Sequence, residues 1–373
     1  MKYVVSIVFF LLFSHLLVQA QDYTWFNPAE NSSFQILSQG WSTNDLKNPY
    51  DRLPSSAEGK VREAVWNLSR HAAGITIRFA SDAPGIKVRY QVSGNVQMPH
   101  MPATGVSGVD LYMKSNETNG QLWCKGGYSF KDTIVYTFDE LNSIWNAKNS
   151  QKEYELYLPL YNHVEWMEIG IPEGYEINAV QPVNTKPVVV YGTSIAQGAC
   201  ASRPGMAWTS ILQRKIERPV INLAFSGNGR LEPELIDYIS EIEASAYILD
   251  CLPNLTSEKL YPEDELKKRI RRSVNTLKEK RPNTPILLVQ HAGYSDAVTR
   301  KSRYDTVERI NAVLKEMYHT FLSEGMKDVF FLSKDEINMC MDCTVDGTHQ
   351  NDLGMQLYGN AYGKKVSEIL EER

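Results

Sequence analysis

Near residue 185 the spacing of apolar residues changes, and that change sets two folding problems in one chain. Across residues 22–184 the spacing is two. Ile75, Ile77 and Phe79 alternate with polar or small residues, as do Ile86, Val88, Tyr90 and Val92, and then Tyr154, Leu156 and Leu158. Successive strand side chains point to opposite faces, so this pattern makes half-buried strands. Turn-forming clusters at 81–85 and 116–120 separate them. Short alternating strands with frequent turns predict an antiparallel β-sandwich, jelly-roll-like, over residues 21–184.

A turn-rich stretch at 172–187 follows, and the boundary is placed near residue 185. Beyond it the apolar residues come in unbroken runs: Val188-Val189-Val190-Tyr191, Ala246-Tyr247-Ile248-Leu249, Ile286-Leu287-Leu288-Val289 and Val329-Phe330-Phe331-Leu332, with a short strand from Val220 to Ala224. Runs of this kind fit strands buried on both faces. Between them, Leu266, Ile270, Val274 and Leu277 recur at helical spacing, as do Tyr304, Val307, Ile310, Val313, Leu314, Met317, Tyr318 and Phe321. Strand–helix alternation predicts an α/β unit over 185–373, a parallel sheet flanked by helices.

The first twenty residues stand apart from both units. Lys2 precedes an almost wholly apolar stretch at 4–18, and Val18-Gln19-Ala20 is a small-residue cleavage site before Gln21-Asp22. This reads as a signal peptide cleaved after Ala20, which predicts a secreted or periplasmic protein without stable membrane insertion. The net charge of −5 argues against nucleic acid as a partner. The basic run 267–272 follows Glu263-Asp264-Glu265, an arrangement that suits a solvated helix face. Of five cysteines, Cys340 and Cys343 form a lone Cys-x-x-Cys in a C-terminal loop. They read as a local disulfide or two ordinary thiols; no cofactor and no metal is expected.

In an open parallel sheet, ligands bind beyond the carboxyl ends of the strands. Gly192-Thr193-Ser194-Ile195-Ala196-Gln197-Gly198 follows the first run, Ser226-Gly227-Asn228-Gly229 the second strand, and Asp250-Cys251-Leu252-Pro253-Asn254 the third. Gln290-His291 follows the fourth, and Asp346-Gly347-Thr348-His349 comes after the fifth. Taken singly, each has an ordinary explanation as a helix cap, a turn glycine or a surface imidazole.

Their order resembles the SGNH (GDSL-like) hydrolase superfamily, whose four sequence blocks carry a serine, a glycine, an asparagine and an Asp-x-x-His. Gly108-Val109-Asp110-Leu111-Tyr112 is similar to the Gly-x-Asp-Leu-Tyr signature of a β-domain that precedes one exported bacterial branch of these esterases, and Tyr50-Asp51-Arg52-Leu53-Pro54 fits that branch. The namesake Gly-Asp-Ser-Leu reads Gly192-Thr193-Ser194-Ile195 here, and the proline usual after the histidine is Gln350.

The resemblance implies a serine nucleophile, Ser194, activated by His349 as base, with Asp346 fixing the imidazole. The oxyanion donors would be the backbone N–H groups of Ser194 and Gly227 and the side-chain amide of Asn254. His291 is a rival base because it also ends a strand, and His71, His163 and His319 read as structural. His100 is either a contact made to the site by the β-domain or part of a Pro-stiffened surface loop. Asp110, Tyr112 and His291 join His100 as candidate substrate contacts. The implied activity is hydrolysis of short acyl esters, O-acetyl above all, on a small-molecule or glycan substrate. A lysophospholipase, thioesterase or arylesterase on the same triad is the alternative within enzymes. A carbohydrate-binding protein with a degenerate hydrolase domain is the alternative outside them.

Overall fold

A computed structural model of the chain describes residues 22–115, 120–141 and 151–371. The segment read as a signal peptide and most of the turn at 116–120 lie outside the described residues.

Two antiparallel sheets are built from residues 23–178. One has the order Tyr23–Phe26, Val164–Pro172, Ile86–Val92, Ile134–Phe138, Gly127–Phe130. The other runs Ile177–Asn178, Thr76–Ser81, Lys152–Tyr157, Asp110–Ser115, Gly120–Cys124, with Gln35–Leu37 also paired to Thr76–Ser81. The alternating residues join them: Ile77, Phe79, Ile86, Val88 and Leu156 are fully buried in one apolar cluster shared by both sheets.

The second unit is a five-stranded parallel sheet. Its strands are β1 (Val188–Gly192), β2 (Val220–Ala224), β3 (Ala246–Asp250), β4 (Ile286–Val289) and β5 (Val329–Leu332), in the order β2-β1-β3-β4-β5. The helices are α1 (Ser194–Gln197), α2 (Trp208–Ile216), α3 (Pro233–Glu241), α4 (Glu263–Lys280), α5 (Lys301–Ser323), α6 (Lys334–Ile337) and α7 (Asp352–Glu371). The strand order reverses between β1 and β3, and such a switch point opens a crevice at the carboxyl ends. Among the described residues no helix is long and apolar enough to cross a membrane.

Alternate residues of β1 feed opposite faces. Val189 and Tyr191 pack with Leu266, Ile270, Val274 and Ile310 on one side, whereas Val188 and Val190 pack with Trp208, Ile211 and Tyr362 on the other. Each such buried side chain contributes about 1.5–3 kcal/mol, which is why α4 and α5 lie on the sheet despite their charged outer faces. Tyr304 departs from the expected apolar stripe, being 52% exposed on α5.

The apolar layers do not divide where the sheets do. Leu53, Ala57, Val61, Val65 and Trp66, from the segment before and within the short helix Glu63–Ser69, are part of the core on the β2 and β3 side of the parallel sheet. Arg52 fixes this segment. Its guanidinium is buried and donates to the carbonyls of Leu68, His71, Asn222 and Ala224, the last two on β2. Burial pushes its pKa down to about 9, so the four carbonyls and the face of Phe225 are what compensate the charge.

Candidate active site

Ser194 opens α1 immediately after the Thr193 cap, whose hydroxyl accepts from the Ile195 N–H at 3.4 Å. The helix is one turn long because Gly198 ends it at φ +106°, a conformation that favours glycine. A Cβ there would also come within 2.9 Å of Ala207 Cβ. The turn therefore delivers Ser194 at the mouth of the sheet and stops.

Ser194 Oγ lies 2.8 Å from His349 Nε2, and His349 Nδ1 lies 2.7 Å from Asp346 Oδ2. The other carboxylate oxygen, Oδ1, accepts from the backbone N–H of His349 at 2.8 Å and of Thr348 at 3.0 Å. Burial works to raise the Asp346 pKa, but the N–H donors of His349 and Thr348 and the imidazole more than reverse it, leaving the carboxyl below its ordinary value. An ionised carboxylate only accepts, so the imidazole proton sits on Nδ1 and Nε2 is free to take a proton from Ser194. Ser194 and the distant Asp346–His349 pair thus form a hydroxyl–imidazole–carboxylate relay that can make an alkoxide-like nucleophile near neutral pH.

The sheet register brings the remaining candidates to the same end. Gly192 is paired with Ala224 on β2 and with Asp250 on β3, so the segments carrying Ser194, Gly227 and Asn254 leave adjacent strands side by side. Gly227 is exposed with φ +64°, and nothing lies within 4 Å of where its Cβ would sit. The tight packing belongs to Gly229, whose Cβ would stand 1.9 Å from the Gly192 carbonyl oxygen. Asn254 Nδ2 donates to the Asn228 carbonyl at 2.5 Å, which orients the amide and leaves its second hydrogen for another acceptor.

The β-sandwich unit supplies supports that the sequence reading did not single out. Gln197 is fully buried; its Oε1 accepts from the Ser226 N–H at 2.9 Å, and its Nε2 reaches Leu160 O at 3.1 Å and His71 Nδ1 at 3.3 Å. Burial first, then Arg52 and His163, depress the His71 pKa to about 3, so this ring is a neutral acceptor. Tyr161 donates its hydroxyl to Ser194 O at 3.2 Å. The available signal was a glutamine on the buried first turn of a sheet-top helix, where a polar side chain must find partners.

The structure places His100 at the end of the relay. Its exposed ring faces that of His349 with centroids 6.0 Å apart. His291, by contrast, is overturned both as rival base and as substrate contact. It is buried, its Nδ1 accepts from the Gly293 N–H at 2.9 Å, and burial together with Arg303 lowers its pKa to about 3. Asp110 and Tyr112 are corrected as well. Both are buried, and both bind the Arg203 guanidinium, while Asp110 also accepts from Gly205 N at 3.0 Å and Trp123 Nε1 at 2.6 Å. The Gly-x-Asp-Leu-Tyr segment clamps the loop after α1 to the β-sandwich. Cys340 and Cys343 form a disulfide, while Cys124, Cys200 and Cys251 are buried thiols.

Residues 185–367 match the GDSL-like lipase/acylhydrolase family, and residues 23–177 match the Gly-x-Asp-Leu-Tyr family that forms the N-terminus of SGNH-hydrolase-type esterases. A protein from Bacteroides ovatus described as a GDSL-like lipase is 30% identical, with 94% of this chain and 98% of that one covered and a TM-score of 0.82. A salicylyl-acyltransferase from a tetracycline biosynthetic pathway is 17% identical over 93% of this chain and 97% of that one, at a TM-score of 0.70. An acetyl xylan esterase from Butyrivibrio proteoclasticus is 11% identical over 94% of this chain and 99% of that one, at a TM-score of 0.55. At these lower identities the likeness is one of fold. No curated protein sequence matches the chain.

Proposed function

Because the chain belongs to the GDSL-like lipase/acylhydrolase family, we propose that it is an exported serine esterase that removes short acyl groups, O-acetyl foremost, from carbohydrate. The observation that carries this reading is the continuous Ser194–His349–Asp346 hydrogen-bond relay at 2.8 and 2.7 Å. Ser194 Oγ attacks the ester carbonyl as His349 Nε2 takes its proton. The oxyanion is held by the N–H groups of Ser194 and Gly227 and the free amide hydrogen of Asn254. The intermediate collapses, the sugar oxygen leaves with the proton from His349, and water repeats the sequence to free acetate and Ser194. Each oxyanion donor contributes about 3–4 kcal/mol to lowering the barrier.

Two features support a short acyl group on a bulky alcohol. The exposed ring of His100 stands beside that of His349, and Gly227 is exposed too, which leaves room for a bulky leaving group. The loop at 198–205 is mostly buried under the β-sandwich, with Ala199 and Ala201 in the core, and contributes no apolar trough. The fold shared with an acetyl xylan esterase and a family two carbohydrate esterase supports the carbohydrate part of the reading. Lys2, the apolar stretch behind it and the Val18-Gln19-Ala20 site support export. Acetate release from a panel of acetylated glycans, measured beside octanoyl and longer esters, tests the proposal. Faster cleavage of acetyl substrates is expected, and a preference for long chains would replace this reading with the lipase alternative.

A further inference from the structure

The Asp346–His349 pair stands on a loop, 338–351, that has no helix or strand and only a single bridge between Thr344 and Gln350. The connection between the two residues passes through Gly347 at φ +83°, where the backbone is intrinsically free. A reacting constellation has to be held to within about 0.5 Å, and loops hold side chains less well than helices or strands do. Something outside the loop must restrict it.

Arg303, in the first turn of α5, is that contact. Its Nη2 donates to the Thr348 hydroxyl at 2.6 Å and to the Gly347 carbonyl at 3.3 Å. Its Nη1 is held by Asp296 at 3.0 Å, and the guanidinium lies 3.7 Å from the centre of the Tyr294 ring. Neighbouring Ser295 donates its N–H to Gly347 O at 3.2 Å and shares a 2.6 Å hydroxyl contact with Thr344. A Cβ on Gly347 would meet Asp296 Cγ at 3.1 Å, so the brace and the loop are in full contact. A cation in the first turn of a helix opposes the macrodipole, so Arg303 is not there for the sake of α5.

We propose that Arg303 is a positioning residue for the Asp346–His349 pair. Its planar fork, fixed by Asp296 and Tyr294, holds Gly347 and Thr348 so that the imidazole stays between Ser194 and Asp346. Its hydrogen bonds to the loop reach neither the nucleophile nor the imidazole, and it acts through the Gly347 carbonyl and the Thr348 hydroxyl, on the two residues before His349. Lysine would keep the charge and lose the fork.

The inference rests on the serine-esterase reading, and the test separates the two. Arg303→Met and Arg303→Lys are assayed with an aryl acetate, and the His349 Nδ1 proton is followed by NMR as the low-field signal of an imidazole bonded to a carboxylate. In folded protein both variants should lose about 10–100-fold in kcat, the penalty of an ångström-scale misplacement. KM should stay within about threefold, and the low-field signal should broaden or vanish. Wild-type kcat in folded Arg303→Met would overturn the proposal. So would full activity in Arg303→Lys, which would assign the effect to charge alone, and so would a lower kcat with an unchanged low-field signal. If Arg303→Met does not fold, Thr348→Val removes the other side of the fork and is read in the same way. If the wild-type protein cleaves no ester, the esterase reading falls, while the low-field signal still reports whether Arg303 holds the pair.

Discussion

Replacing Asp346 by asparagine changes one atom and should reverse the imidazole. In the native site Oδ1 accepts two backbone N–H groups, from His349 at 2.8 Å and Thr348 at 3.0 Å. Those donors cannot face an amide NH2, so the asparagine oxygen must stay with them. Its nitrogen then occupies the place of Oδ2, 2.7 Å from His349 Nδ1. A donor there obliges Nδ1 to accept, which moves the imidazole proton to Nε2, the atom that must take the proton of Ser194. Locking a serine hydrolase histidine in the wrong tautomer costs about 10⁴-fold in kcat, or about 5.5 kcal/mol of barrier. The fold should survive, because every hydrogen bond of the site keeps a partner. The assay is kcat on a soluble aryl acetate beside a thermal melt. A folded Asp346→Asn protein with kcat within tenfold of wild type would refute the tautomer argument and the assignment of Asp346 with it.

Asn254→Ala removes the only side-chain donor of the proposed oxyanion site and should lower kcat by about 10²–10³-fold with a smaller change in KM; an unchanged kcat would take Asn254 out of the site. Asp250, fully buried at the end of β3, carries a pH prediction. Burial raises its carboxyl to about 7, with the Tyr362 hydroxyl pulling the other way. Folded Asp250 therefore prefers its proton, so the stability it contributes is complete below its unfolded pKa of about 4 and is lost as pH rises through about 7. Between pH 5 and 8 the wild-type Tm should fall relative to that of Asp250→Asn, with about 3 kcal/mol of stability lost over that interval. Parallel Tm curves for the two proteins would show that Asp250 is not the titrating group.

Features legible before folding are local or ordered along the chain. Alternation at Ile75, Ile77 and Phe79 marks a strand, although Thr76–Ser81 is buried at all but Arg78, and four apolar residues in a row at Val188 fit a strand covered on both faces. The order of strand ends placed Ser194, Gly227, Asn254 and the Asp346–His349 loop at one edge of the sheet, because parallel strands joined by helices deliver all their carboxyl ends to the same side. Family resemblance named the chemistry on those same residues.

Which side chains meet across long sequence separations was decided only by the tertiary structure. His291 and His100 show the difference. His291 ends a parallel strand, as a ligand-facing residue should, yet helix packing buries it and its Nδ1 is taken by Gly293. His100 sits in an unpromising loop, yet docking of the sandwich brings it beside His349. Asp110 and Tyr112 carry the more recognisable motif, but they bind Arg203, a residue whose position no local pattern reveals. Leu53 and Trp66 belong by position to the sandwich and by packing to the parallel sheet. Arg303 reads from sequence as one more base on a charged helix. It becomes a brace only because α5 starts where the loop carrying Asp346 and His349 passes. Propensity and period act over a few residues, whereas burial and hydrogen-bond partners are settled by whichever surfaces come together once the layers close.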